Sequence, residues 1–337
     1  MKNIKICLVG IGRAGMIHAL NYKNKIIKVD VDFVVDPDPA AEEKAEKLDA
    51  RYYNSLDDVI KNEDFDAVSI GAPTFAHYEA VMKAAEAGKA IFCEKPLSLT
   101  LEEAEKMEKI VKEKDLIFQI GFMRRFTEDF IHAKKLIEQG KIGEVIMVKS
   151  VGRSPGSGTP SNWIADVNKS NGLLAEVNSH DFDAVRWLAG KEFKEVFAYG
   201  SNLKSDSIKD KYPEFYDTVT VNIKFEDEIL GMVDGCYPAT YGYDARTEVL
   251  GSEGMIKIGS PQARSVLTWN KQGKLVTEGN KGWQTLYQDA YLKEDMHFIN
   301  CIRQNKKPKV GITDGKKAVE IVLAANRSIK KGEAIKL

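Results

Sequence analysis

A chain of 337 residues, 43% hydrophobic and 29% charged, is long enough for two domains and can bury a sizeable core. Its 49 Lys and Arg nearly balance its 50 Asp and Glu, which argues against nucleic acid or an acidic membrane as partner. Cys7, Cys93, Cys236 and Cys301 are far apart with no CxxC pair, and no apolar run reaches the ~20 residues of a membrane span. The N-terminus runs straight into a strand, so the expectation is a cytoplasmic protein with reduced thiols and no metal site.

In chain order, IKICLVG (4–10) is β-branched and apolar, as a strand covered on both faces should be. A helical pattern follows from Ala14 to about Tyr22, then the strand VDVDFVVD (29–36). Next come a helix at AAEEKAEKL, a short strand at RYY, a helix at SLDDVIKN and the strand AVSIGAP. A helix over AHYEAVMKAAEAG, the strand AIFCEK, a charged helix over LEEAEKMEKIVKEK and the strand IFQIGFM complete the first part. This βαβα order predicts a parallel sheet with helices on both faces. Around Gly140–Gly143 the pattern changes. One helix is expected over 173–189, then TVTVNIKF (218–225), which puts Val219, Val221, Ile223 and Phe225 on one face. EDE links it to ILGMVDGCY as a hairpin, and Ser-Glu-Gly joins RTEVLG to GMIKIG. Helices over 285–304 and 314–331 close the chain.

GIGRAG (10–15) matches GxGxxG between the first strand and the first helix. In that setting Gly10 serves a tight turn, Gly12 a close approach of backbone to a pyrophosphate, and Gly15 close helix–strand packing; Ile11, Arg13 and Ala14 complete the loop. The helix N-terminus offers free N–H groups to phosphate. Asp36, about 20 residues further on, suits the ribose hydroxyls and repels a 2′-phosphate, so NAD is expected in preference to NADP. The alternative is an adventitious turn and a surface aspartate. Ligands of such sheets sit at the C-terminal strand ends, which here carry Ala72, Pro73, Thr74 and His77, then Glu94 and Lys95, then Phe122–Arg125. In LLAEVNSHDFDAVRWL, Glu176 and His180 are four apart and share a face of the expected helix. A histidine beside a carboxylate suits general acid–base work; the alternative is an ordinary surface pair. His18, His132 and His297 fall in helical patterns and are read as non-catalytic, and Asp181, Asp183 and Arg186 as local caps or pairs.

GIGRAG with Asp36, CEKP (93–96), GFMRRF (121–126), HDFDAVRWL (180–188), and YGYD (241–244) followed by EVLGSEGMIKI occur in order. Together they resemble the Gfo/Idh/MocA oxidoreductases, bacterial inositol 2-dehydrogenases above all, over nearly the whole chain. The resemblance implies a Rossmann NAD-binding domain over 1–123 and an α+β domain over 124–337 with a mostly antiparallel, open-faced sheet for substrate binding and oligomerisation. The 314–331 helix is a candidate to pack back on the first domain. It implies that Lys95, before a Pro96 whose peptide is often cis in relatives, contacts the reacting hydroxyl. His180 matches the general base, and position 176 the histidine's aspartate partner, here glutamate. Arg125, Trp163 and Tyr243 are further candidates for substrate contact. The implied activity is NAD-dependent oxidation of a ring hydroxyl of a myo-inositol-like cyclitol by a homodimer or homotetramer. Glu176 and the divergent SPGSGTPSNW (154–163) keep open a sugar or glycoside substrate, for example at C3 of a glucoside. A third reading is an NAD-binding regulator without turnover.

Overall fold

The computed structural model describes residues 2–156, 160–263 and 265–337. By compactness the chain divides into two units, Met1–Phe126 with Asp289–Val319, and Thr127–Gln288 with Glu320–Leu337.

The first unit is built from β1 (Ile4–Val9), α1 (Arg13–Lys25), β2 (Val29–Val35), α2 (Ala41–Lys47), β3 (Arg51–Tyr53), α3 (Leu56–Asn62) and β4 (Ala67–Ile70). It continues with α4 (His77–Glu86), β5 (Ala90–Glu94), α5 (Leu101–Glu113) and β6 (Phe118–Gly121). All six strands are parallel, in the order β3-β2-β1-β4-β5-β6. The crossover therefore reverses between β1 and β4, the place where such sheets open a crevice. Strands β4 and β6 are buried at every position, as a sheet covered on both faces requires. Helix starts are written in the sequence: Ser55 accepts the N–H of Asp57 to begin α3, and Thr100 with Glu103 forms a capping box on α5. One glycine pair decides the packing of α1. A Cβ on Gly71, just past β4, would stand 2.8 Å from the Gly15 Cα, so helix and strand end meet backbone to backbone.

The second unit contains α6 (Glu128–Glu138), β7 (Val145–Arg153), α7 (Asn162–Ala165), α8 (Val167–Ser170), α9 (Gly172–Glu176) and α10 (Ser179–Ala189). Then follow β8 (Phe193–Ser201), α11 (Asp206–Lys209), β9 (Thr218–Phe225), β10 (Leu230–Cys236), β11 (Asp244–Gly251), β12 (Met255–Ile258) and the small hairpin β13 (Thr268–Trp269) and β14 (Leu275–Val276). Helix α12 (Trp283–Leu286) precedes α13 (Gln288–Gln304), most of which belongs to the first unit; α14 (Ile312–Lys331) is divided between the units, and β15 (Ile335–Lys336) ends the chain. Seven strands form a mixed sheet, β12-β11-β7-β10-β9-β8-β15, in which only β7 and β10 run parallel.

The two hairpins expected from the sequence are present as β9–β10 and β11–β12. Val219, Val221, Ile223 and Phe225 all point into the core, at most 3% exposed, while Thr220 and Asn222 face out. Against that face pack Phe182, Val185 and Leu188 of α10 and Ile321, Val322 and Ala325 of α14.

The expected continuous helix over 173–189 is not formed. The N–H groups of Val177 and Asn178 both bond the Leu173 carbonyl, closing α9, and the Asn178 carbonyl accepts from Asp181 and Phe182 to open α10. Glu176 and His180 therefore sit on consecutive helices and do not share the face of one. Apolar spacing is nearly continuous across this break, which is why periodicity alone predicts a single helix.

Candidate active site

At the first strand end, Gly10 adopts a left-handed φ of +83°, and a Cβ there would overlap Ala72. A Cβ built on Gly12 meets nothing within 4 Å, so an anion can approach this backbone closely. Helix α1 begins at Gly12 with no side-chain cap, leaving its first N–H groups for such an anion. Ile11 is buried, Ala14 half-buried and Arg13 exposed. Asp36, after β2, accepts the N–H of Ile11 at 3.0 Å on Oδ2 and that of Asp38 at 3.0 Å on Oδ1, which ties it to the glycine loop. Open backbone, an uncapped helix start and a carboxylate held beside them fit a dinucleotide with free ribose hydroxyls.

The neighbouring loops are clamped by His77. Its Nδ1 lies 2.7 Å from the Pro96 carbonyl and its Nε2 2.8 Å from that of Ala72, so the ring spans the loop after β4 and the turn after β5, a neutral imidazole donating to one of the two carbonyls at a time. Burial lowers the His77 pKa, against a weaker opposite pull from the two carbonyls. Ala72 and Pro73 are half-buried beside it and Thr74 is buried. Lys95, half-buried, precedes Pro96 through a cis peptide bond.

Glu94 turns inward, 5% exposed, and behind it lies a cluster that the sequence did not reveal. His18 of α1 is wholly buried; its Nε2 donates to Glu94 Oε1 at 2.9 Å and its Nδ1 to Asp295 Oδ1 of α13 at 2.7 Å. Only an imidazolium can donate at both nitrogens. Desolvation opposes the charge, but the two carboxylates outweigh it and hold the His18 pKa well above the usual histidine value. Asn21 donates to the other oxygen of Asp295 at 2.8 Å. The remaining oxygen of Glu94 accepts the Lys95 N–H at 3.1 Å, so the buried cation reaches the lysine's backbone through one carboxylate. Gly121 on β6 leaves the room, since a Cβ there would stand 3.0 Å from the Glu94 carboxyl carbon. A histidine among Ala19 and Tyr22 on the apolar side of α1 was the available signal; Asp295, 277 residues away, had none.

Arg125 donates to Asp314 Oδ1 at 3.1 Å within the first unit. In the second unit Glu176 is half-buried at the end of α9, and His180, 6% exposed, is in the first turn of α10. Trp163 is half-buried on α7. In the 154–163 loop, Ser157–Thr159 lie outside the described residues. Tyr243 is buried edge-on to Tyr287, ring centres 6.3 Å apart, and its N–H bonds the Asn280 carbonyl at 2.7 Å. The first unit thus gathers the glycine loop, Asp36, Ala72–Thr74, His77, Glu94 and Lys95 along the ends of β1, β2, β4 and β5.

Two family profiles cover the chain: "Oxidoreductase family, NAD-binding Rossmann fold" over residues 4–122, and "Oxidoreductase family, C-terminal alpha/beta domain" over 134–337. A myo-inositol 2-dehydrogenase of Thermotoga maritima is 34% identical over 99% of this chain and 98% of its own. The NAD(+)-dependent scyllo-inositol 2-dehydrogenase of Bacillus subtilis is 33% identical over 99% and 96%. The crystal structure of a scyllo-inositol dehydrogenase from Lactobacillus casei, with NAD(H) and scyllo-inositol bound, superposes with a TM-score of 0.92 at 31% identity and covers 99% of each chain. On both halves of its length, the chain belongs to the Gfo/Idh/MocA family of NAD-binding oxidoreductases.

Proposed function

We propose that this enzyme oxidises a secondary ring hydroxyl of a cyclitol such as myo-inositol to the ketone, with Lys95, His180 and Glu176 as its catalytic residues. The observation that carries the reading is the β5 end: Lys95 stands on a turn fixed by Glu94, by the His77 clamp and by buried His18. A lysine so held serves chemistry better than it serves a surface turn. NAD, held there, would supply the acceptor for the hydride of the carbinol carbon. His180 takes the hydroxyl proton, with Glu176 as its partner. Lys95 donates a hydrogen bond to the same oxygen and stabilises the negative charge that develops there.

Gly10–Gly15 and Asp36 hold the pyrophosphate and the adenine-side ribose, while Ala72–Thr74, His77 and Glu94 shape the loops beside them. Arg125, Trp163 and Tyr243 are assigned to the substrate's surroundings, Arg125 and Tyr243 through the Asp314 and Tyr287 contacts that fix them. Cofactor binding is assigned to 1–123 and substrate binding with oligomerisation to 124–337. The outward face of the seven-stranded sheet is the surface we assign to a homodimer or homotetramer. Among the described residues no helix is long and apolar enough to cross a membrane, and the four cysteines are free; both suit the cytoplasm.

A second reading keeps the chemistry and changes the substrate to a sugar or glycoside. Glu176 favours it, because the longer side chain ends a helix separate from that of His180. NADH formation against myo-, scyllo- and chiro-inositol, glucose and several glucosides separates the two. Turnover with inositols supports the first reading and turnover with glucosides alone the second, whereas NAD binding without any turnover rejects both in favour of a regulator. Lys95→Ala and His180→Ala are each expected to cut kcat by at least ~10²-fold with NAD binding kept. Wild-type turnover in either variant removes that residue from the chemistry.

A further inference from the structure

Sheet residues Gly152 of β7 and Gly235 of β10 are direct partners in the parallel register. A Cβ on Gly152 would collide with Asp181 Oδ2, and one on Gly235 with Asn178 Oδ1. The paired glycines leave a notch in the sheet, and these two side chains fill it. Both are 0% exposed. Inside the notch Asn178 Nδ2 donates to Asp181 Oδ2 at 2.9 Å and lies 3.3 Å from the Gly152 carbonyl. Ser150, one pleat further along β7, donates to Asp181 Oδ1 at 2.6 Å and meets Thr247 Oγ1 at 3.0 Å.

Two features set this apart from ordinary helix capping. Asn178 occupies the N-cap position of α10, where asparagine usually turns its side chain onto the helix N–H groups, yet it makes no such bond. Its Oδ1 is buried without a hydrogen-bond partner among the described residues, an arrangement that a plain structural position would shed for an apolar residue. The helical repeat supplies the purpose. Residues 178 and 181 lie three apart and share the face turned to the sheet, so residue 180, about 200° on from 178, is presented away from it.

We propose that Asn178 and Asp181 are positioning residues for His180: seated in the Gly152–Gly235 notch, they fix the first turn of α10 and hence the direction from which the imidazole meets the reacting hydroxyl. This rests on His180 being the base. A residue that only supports the fold would affect stability; one that aims a base affects the chemical step while cofactor binding stays intact.

The experiment is steady-state oxidation of myo-inositol by NAD⁺ with the full-length enzyme, comparing wild type with Asn178→Ala, Asp181→Asn and His180→Ala. Asp181→Asn exchanges the carboxylate for an amide whose single oxygen can replace only one of the two acceptors now facing Ser150 and Asn178. A misplacement of about 1 Å costs up to ~10²-fold, so both notch variants are expected to lose about 10- to 100-fold in kcat, with the KM for NAD⁺ unchanged. The primary deuterium isotope effect on kcat, measured with substrate deuterated at the reacting carbon, is expected to rise as chemistry becomes slower. If Asp181→Asn does not fold, Asn178→Ala carries the same test. A lowered unfolding temperature with wild-type kcat and isotope effect overturns the proposal. Full turnover in His180→Ala overturns the assignment of the base itself, a result distinct from an inactive His180→Ala beside fully active notch variants, which overturns positioning alone.

Discussion

Each unit buries a carboxylate cluster close to a residue assigned to catalysis, and the two clusters are built on opposite principles. Behind Lys95 the solution is ionic: Glu94 and Asp295 are held by one buried imidazolium. Beside His180, Asp181 takes hydrogen bonds from the neutral donors of Ser150 and Asn178, and glycines in the sheet make the space. The contrast teaches that a lysine's backbone can be anchored through charge, whereas the turn that carries a histidine can be seated by shape, in a notch that two glycines leave in the sheet.

The largest expected effect breaks the ionic cluster. His18→Ala leaves two carboxylates buried together and is expected to cost about 3–5 kcal/mol at neutral pH, as removal of one partner from a buried pair does. Urea unfolding checks it; a loss near zero would mean that His18 is not a cation in the native state. The direction with pH sharpens the point. The His18 pKa is raised on folding, so its stabilisation is complete below the unfolded value of about 6.5 and is lost as pH rises through the folded value. The difference between wild type and His18→Gln should therefore shrink towards alkaline pH.

Ser150→Ala removes an uncharged donor to Asp181 and is expected to cost about 1–2 kcal/mol. Between pH 7 and pH 10 that difference should stay nearly flat; a loss that follows the His18 profile would erase the distinction between the clusters.

The smallest effect belongs to a third carboxylate, where the cations reach solvent. Glu108 of α5 accepts from Lys112 at 2.8 Å, from Thr313 at 2.6 Å and from Lys316. Desolvation is outweighed by these bonds and the pKa falls to about 2. Its contribution is present above the unfolded glutamate value of about 4.3 and is lost as pH drops through the folded one. Glu108→Gln is expected to cost only about 1 kcal/mol at pH 7, because both lysines are partly exposed, and to cost less by pH 3.

What the sequence made legible were features with short-range signatures. The six strands of the first unit, the glycine loop with Asp36 and the inward set Val219, Val221, Ile223 and Phe225 follow from periodicity and local motifs. The break at Val177–Asn178 was hidden because the apolar spacing runs on across it, while the glycines that leave room for Asn178 lie in strands distant in sequence. The Glu94–His18–Asp295 cluster was hidden for the same reason: its members come from β5, α1 and α13, and nothing in one stretch announces the others. Asp181 reads as a local cap or pair on the sequence and is instead fully buried, which no local pattern announces because Gly152, whose missing Cβ admits the carboxylate, stands 29 residues away.

The division of the chain also governs how it can be made. The first unit is interrupted by the second and resumes only at Asp289, with Phe298 and Ile299 in its core and Asp295 on His18. On the ribosome the first unit's sheet emerges early yet lacks these pieces until residues 127–288 have been synthesised. Through that interval His18 has no Asp295, and the surface later covered by Phe298 stays open to chaperones and to proteases. A fragment ending at Phe126 would inherit that unfinished state permanently.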